Sequence, residues 1–302
     1  MTGGQCVDVF TLTHDSGRAR LSASDSYLFT MTTSHADLNA FLDTATEAAR
    51  RGAAQLESWR AKFTVKEKGR ADLVTEADVA SQTAVKECLL GRFPHHAFLG
   101  EEESVGKEPH EVRPAKSAPP TWVVDPLDGT SNYVHDIPAY CVSIGLVVDG
   151  EPIVGVIYDP RQNELFAAAK GRGAFLNGRP IRVSKTTTLN DSMLATGFPA
   201  DYQKQLRNLK AWEKLSGITQ GLRRTGSTAI NMAYVAAGRF DGYWAHDNYP
   251  WDVVGGAVLV SEAGGRLSTI NGAAFDCFRP DLIATNGLIQ AETVNVLNAK
   301  SE

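Results

Sequence analysis

The sequence predicts a mixed α/β protein, α+β in its first half and α/β in its second, and three observations predict it. Apolar residues recur at helical spacing over two stretches near the start, Leu38 to Leu56 and Ala80 to Leu89. Between residues 140 and 178, β-branched and apolar runs are punctuated by the turn dipeptides Asp149-Gly150 and Asn177-Gly178, the pattern of an antiparallel sheet. Beyond Asn190, strand-like runs alternate with helical ones. A chain of 302 residues with 43% hydrophobic content and 27 glycines fits one large domain or two intimately packed ones.

Residues 1–33 are polar and mixed, without a sustained period, and read as a disordered extension. Met31 lies just before a helix start and is a candidate for the true initiator. Ser34 and Asp37 resemble a capping box, and Leu38, Phe41, Leu42, Ala45, Ala49 and Leu56 then mark a scaffold helix. After Lys66 and Lys68 comes DLVTEAD, where Thr75 caps a helix that stops at Gly91 and Pro94. Asp78 falls in its first turn, where a carboxylate either complements the helix dipole or does chemistry. Phe98-Leu99-Gly100 reads as a short strand that runs straight into Glu101, Glu102 and Glu103, either a solvated charge run or a strand-end site. Residues 105–120, rich in Lys, Glu, Pro and Ser, form a surface loop.

The apolar run Trp122-Val123-Val124 reads as a buried strand that stops on Asp125, because Pro126 has no ladder donor. Asp128 follows, then Gly129-Thr130, whose amides can approach an anion closely because glycine lacks a Cβ. Asp-Pro and Asp-Gly are also ordinary turn dipeptides. Two carboxylates beside accessible amides point to a hard divalent cation such as Mg²⁺ shared with a phosphate. Strands at 140–148, 153–158 and 165–169 supply a rigid frame for that edge.

In the second half, a strand at Met193 to Ala195 precedes a helix through Leu206, Leu209, Trp212 and Leu215, and a small-residue helix runs from Ser227 to Ala237. Thr225-Gly226-Ser227 opens the latter, with Ser227 in N-cap position. Asp252 opens another helix whose small face, Gly255, Gly256 and Ala257, implies close packing before the stop at Gly264-Gly265. A strand at Leu282 to Thr285 and a helix from Leu288 to Leu297 close the chain.

Composition narrows the function classes. Thirty basic against 35 acidic residues give a net charge of −5, and no dense basic cluster marks a nucleic-acid groove. Cys6, Cys88, Cys141 and Cys277 are far apart, which suggests neither a zinc site nor a disulfide framework and fits a reduced cytoplasm. No apolar run approaches membrane-spanning length, and the N-terminus does not read as a signal peptide. A kinase or dehydrogenase reading finds no GxxxxGK[ST] loop and no strand-linked GxGxxG; Gly171-Arg172-Gly173 is read as a turn.

Four motifs, DLVTEAD (72–78), FLGEEES (98–104), WVVDPLDGTSNYVH (122–135) and WDVVGGAVLVSEAGG (251–265), stand in the order and spacing of the inositol monophosphatase family, which the chain resembles from about Ser34 to its end. The resemblance implies a layered α-β-α-β-α sandwich of the sugar phosphatase type, divided into subdomains 34–189 and 190–302. It implies a lithium-sensitive hydrolysis of phosphate monoesters by in-line attack of a metal-activated water, in a cytoplasmic homodimer. One Mg²⁺ would bind Glu101, Asp125 and the Leu127 carbonyl, a second Asp125, Asp128 and Asp252, and a third, weaker ion would lie near Glu101, with Glu102 close behind. Thr130, polarised by Asp78, would take the proton from the water. Asp128, the amides of Gly129 and Thr130, Ser227 and Asp252 would contact substrate. Lys66 and Lys68 compete for the lysine position that precedes DLVTEAD.

The chain departs from the family where substrate choice is written. Inositol-cleaving relatives carry a glutamate seven residues before the WD aspartate; here that residue is Ala245, followed by His246, Asp247 and Asn248, either substrate contacts or polar surface. Fructose 1,6-bisphosphate, histidinol phosphate and phosphoadenosine phosphate stay open as substrates, although the TSNYVH tail favours the inositol branch over the phosphoadenosine branch. A non-catalytic metal- or phosphate-binding regulator is the reading from another class, and the presence together of Glu101, Asp125, Asp128, Thr130 and Asp252 weighs against it.

Overall fold

A computed structural model describes residues 35–60, 62–69 and 72–299. The expectations for the N-terminal extension, Met31 and the Ser34 cap lie outside the described residues. In chain order the elements are α1 (His35–Trp59), β1 (Val65–Gly69), β2 (Asp72–Thr75), α2 (Glu76–Arg92), β3 (Ala97–Gly100), β4 (Thr121–Asp128), α3 (Thr130–Val134), β5 (Cys141–Val148), β6 (Glu151–Asp159), β7 (Glu164–Ala169), β8 (Ala174–Leu176) and β9 (Arg179–Ile181). There follow β10 (Met193–Thr196), α4 (Tyr202–Ser216), β11 (Gly221–Arg223), α5 (Thr228–Ala236), β12 (Gly242–Ala245), α6 (Pro250–Glu262), β13 (Arg266–Ser268), β14 (Leu282–Thr285) and α7 (Gln290–Asn298).

Two sheets carry the architecture. The larger runs β3-β4-β5-β6-β7-β8-β9 and is antiparallel apart from the β3–β4 pair; the smaller runs β11-β10-β12-β14-β13 and is mixed. Alternation along each strand sorts side chains into layers. Trp122 and Val124 of β4 and Val142, Ile144 and Leu146 of β5 face Leu56, Val85 and Leu89 of α1 and α2. Val123 and Cys141, from the same two strands, face the other way into a core built with α5 and α6. That core ends on Tyr243, Ala245, Leu282 and Ala284 of the small sheet, while Trp244 and Ile283 turn outward to Leu215 of α4 and Ile289 beside α7. The order α1/α2, large sheet, α5/α6, small sheet, α4/α7 is the α-β-α-β-α sandwich the motifs implied.

Two features differ from the sequence expectation. The strand predicted to stop on Asp125 continues to Asp128, because a bulge between Asp125, paired with Ser143, and Asp128, paired with Cys141, takes up Pro126 without requiring a donor from it. Residues 65–69 and 72–75, whose strands no alternation announced, pair antiparallel as β1 and β2 ahead of the Thr75 cap. Among the described residues no helix is long and apolar enough to cross a membrane.

Candidate active site

The candidate site assembles at the ends of β3 and β4. Parallel pairing sets Gly100 opposite Val124, so Glu101, the next residue along β3, emerges beside Asp125. Asp252 arrives from α6, which lies unusually close to the large sheet. A Cβ on Gly155 of β6 would fall on the Gly255 carbonyl oxygen, and one on Gly145 of β5 would overlap Val254. Ser143 Oγ, whose residue pairs with Asp125 across the sheet, donates to the Trp251 carbonyl at 3.3 Å and fixes the register of α6.

Each aspartate is tethered by backbone and keeps further acceptor capacity. Asp125 Oδ1 accepts the Leu127 amide at 2.9 Å, within the bulge. Asp252 Oδ2 accepts the Tyr249 amide at 2.7 Å, the reach-back half of a capping box. Asp128 Oδ2 accepts Ser227 Oγ at 2.5 Å and the Ala229 amide at 2.6 Å, and its Oδ1 accepts the Thr228 amide at 3.3 Å. Asp125 Oδ2 and Asp252 Oδ1 have no hydrogen-bond partner among the described residues.

The electrostatics are those of crowded acids. Burial pushes Asp125 well above the usual carboxylate range, and the negative charges of Glu101, Asp128 and Asp252 push it further. Asp252 is raised by burial and then by Asp128 and Glu101. Asp128 is raised by burial, against the four donors that surround it, Ser227 foremost. Among the described residues no three acidic, histidine or cysteine side chains stand ready-made around an ion, since the tethers turn the oxygens toward backbone. The donor chemistry nonetheless fits a hard divalent cation: hard carboxylate oxygens with acceptor capacity left, and mutual repulsion that a dication would relieve.

The remaining predicted residues gather nearby. Gly129 adopts φ +96° at the start of α3, with Ala139 and Tyr140 so close that a side chain there would clash. Thr130 Oγ1 lies 3.1 Å from the Leu127 carbonyl and 3.5 Å from Asp78 Oδ1. Asp78 Oδ2 also accepts the Thr75 amide and hydroxyl at 2.8 and 2.7 Å, so Asp78 serves the cap of α2 while facing Thr130. Ser227 likewise caps α5, accepting the Ile230 amide at 3.2 Å, and gives its hydrogen to Asp128. Lys66 is exposed on β1, and the side chain of Lys68 lies outside the described residues.

A cavity of about 270 Å³ opens at Glu101 and Asp252 and is walled by residues 104–107, 197–200 and 245–249. A second, of about 450 Å³, adjoins it across Gly197–Ala200 and Thr228 and reaches Ser131 and Arg224. Sequence reasoning missed Thr228, which lines both cavities and bonds Tyr243, and the Gly197-Phe198-Pro199 segment between them. Gly-x-Pro directly after a strand was the available signal for that segment.

The sequence pattern of the inositol monophosphatase family matches residues 37–302. An inositol-1-monophosphatase from Synechocystis sp. is 44% identical over 270 residues, covering 88% of this chain and 91% of the relative. The Nus factor SuhB of Pseudomonas aeruginosa is 41% identical over 70% of this chain and 77% of its own length. Among solved structures, an inositol monophosphatase from Anabaena (Nostoc) sp. superposes with a TM-score of 0.74 at 41% identity, covering 86% of this chain and 96% of that one.

Proposed function

The chain belongs to the inositol monophosphatase family, and we propose that it is a Mg²⁺-dependent phosphatase acting on a small phosphate monoester, inositol monophosphate or a related polyol or sugar phosphate. The observation that supports this reading is the meeting of Glu101, Asp125, Asp128 and Asp252, from three separate segments, closely enough that their charges raise the proton affinity of Asp125 and Asp252 beside a cavity of small-molecule size. Glu101, Asp125, the Leu127 carbonyl, Asp128 and Asp252 are the groups that would hold metal. Mg²⁺ bound there supplies positive charge to offset the phosphate and lowers the pKa of a water.

The chain's own groups do the rest. The bulge holds Asp125, and the first turn of α5 holds Asp128, so neither carboxylate has to reorganise when charge develops. The amides at Gly129 and Thr130 are the candidates for phosphate oxygens, since the glycine leaves the backbone uncovered. Thr130 Oγ1, which lies between Asp78 Oδ1 and the Leu127 carbonyl, would accept and pass on a proton.

Phosphate release from inositol 1-phosphate, fructose 1,6-bisphosphate, histidinol phosphate and phosphoadenosine phosphate, with and without Mg²⁺ and then with Li⁺, tests the reading. A Mg²⁺-dependent, Li⁺-inhibited preference for a polyol or sugar ester is the expected result. Silence across the panel from folded, Mg²⁺-loaded protein overturns it.

A further inference from the structure

Thr228 and residues 245–248 line the 270 Å³ cavity, and most of them have little hydrogen-bonding capacity left to offer. Ala245 contributes a methyl group that is 2% exposed. Asp247, at φ +63°, is held bidentately by Arg207 at 2.6 and 2.8 Å. Asn248 donates to the Ala245 and Pro280 carbonyls and accepts the Tyr243 hydroxyl. Thr228 Oγ1 is engaged with the same Tyr243 hydroxyl at 3.0 Å.

His246 is different. Its Nδ1 lies 2.9 Å from Asp281 Oδ1, and its side chain is only 13% exposed. Asp281 is held below the usual carboxylate range, chiefly by this hydrogen bond, so it is ionised and accepts Nδ1–H. That bond fixes the orientation of the ring and leaves Nε2 for a further hydrogen bond. Nε2 has no partner among the described residues, and the residue lines the cavity. The backbone is fixed as well: the His246 amide donates to Asn208 Oδ1 at 3.2 Å, and Arg207 clamps the next residue. A largely buried imidazole, oriented from behind and anchored on both sides, is a pre-positioned hydrogen-bonding group.

We infer that His246, positioned by Asp281, reads the alcohol part of the substrate through a hydrogen bond between Nε2 and a substrate hydroxyl. The inference rests on the phosphatase reading above. His246 is then a specificity-determining contact and Asp281 a positioning residue; neither takes part in phosphoryl transfer.

The test compares two esters: inositol 1-phosphate or, if it is cleaved faster, fructose 1,6-bisphosphate, and p-nitrophenyl phosphate, whose leaving group bears no further hydroxyl. For His246→Ala, KM for the hydroxyl-bearing ester is expected to rise about tenfold, the loss of one hydrogen bond, with kcat and the p-nitrophenyl phosphate parameters unchanged. Unchanged p-nitrophenyl phosphate turnover also reports an intact fold. His246→Gln, which restores a hydrogen-bonding group, should recover part of the loss, and Asp281→Asn should raise KM by less. Equal effects on both esters, or none on either, overturn the inference. So does a wild-type enzyme that cleaves p-nitrophenyl phosphate but no hydroxyl-bearing ester. A folded, Mg²⁺-loaded wild type that cleaves neither overturns the phosphatase reading itself, and this inference with it.

Discussion

Ser227 donates its hydroxyl to Asp128 Oδ2 at 2.5 Å while accepting the Ile230 amide at 3.2 Å, so one buried side chain ties the first turn of α5 to the end of β4. Helix capping and acid placement are the same contact. Ser227→Ala is therefore expected to cost about 1–2 kcal/mol of stability, through the lost cap and the lost bond to a carboxylate. Turnover should fall with it, because Asp128 loses its shortest tether. Urea unfolding and steady-state kinetics on one preparation check both; a variant that loses stability but keeps full activity would separate the roles.

Asp125→Asn and Asp252→Asn each remove a charge that its neighbours repel. Turnover should drop about a thousandfold or more, since metal-held groups account for several kcal/mol of barrier. Without metal, both variants should unfold at the same temperature as wild type or a higher one, because a buried, repelled carboxylate has been neutralised. Near wild-type turnover at saturating Mg²⁺ would sink the site assignment.

Those raised carboxyls also fix the sign of a pH dependence. Asp125 and Asp252 hold their protons in the folded, metal-free chain at pH values where the unfolded chain, near 3.8, has released them. Between the unfolded and folded values the native state binds more protons, so stability falls as pH rises through that window. Chelator-treated wild type should lose stability over that range more steeply than Asp125→Asn. Mg²⁺, which binds the ionised form, should flatten the slope. Denaturant midpoints at several pH values, with and without Mg²⁺, measure this.

Close approach of α6 to the sheet is the packing on which Asp252 depends. Gly155→Ala would set a methyl against the Gly255 carbonyl, backbone against backbone, and should destabilise by about 1–3 kcal/mol or more and lower activity as α6 shifts. Gly91→Ala in α2 is the control, with nothing within 4 Å of the new methyl. It should be stabilising by about 0.5–1 kcal/mol and leave kinetics alone. Thermal melts and phosphate release distinguish the two.

Much of this site was legible because it is written locally. An apolar run that ends on Asp125, a strand that ends on Glu101, a threonine three residues ahead of Asp78 and a small-residue helix opened by Asp252 all follow from side-chain chemistry and spacing within a few residues. The Asp149-Gly150 and Asn177-Gly178 turns likewise placed two hairpins, and both aspartate and asparagine adopt positive φ there.

What the sequence left open was decided by contacts between residues far apart in the chain. Pro126 argued for a strand end, yet the partner strand accommodates it in a bulge, because ladder pairing on either side outweighs one missing donor. Gly145, Gly155 and Gly255 read separately as small residues; only the folded chain sets them against one another and so brings Asp252 to the Asp125 end of the sheet. Thirty-five residues separate His246 from Asp281, and no period or spacing foretells that one orients the other. The chain by itself determined which chemical groups are present and which local elements carry them. Tertiary packing decided which of them share a cavity, because hydrogen bonds and charge repulsion act over a few ångströms whatever the distance along the chain.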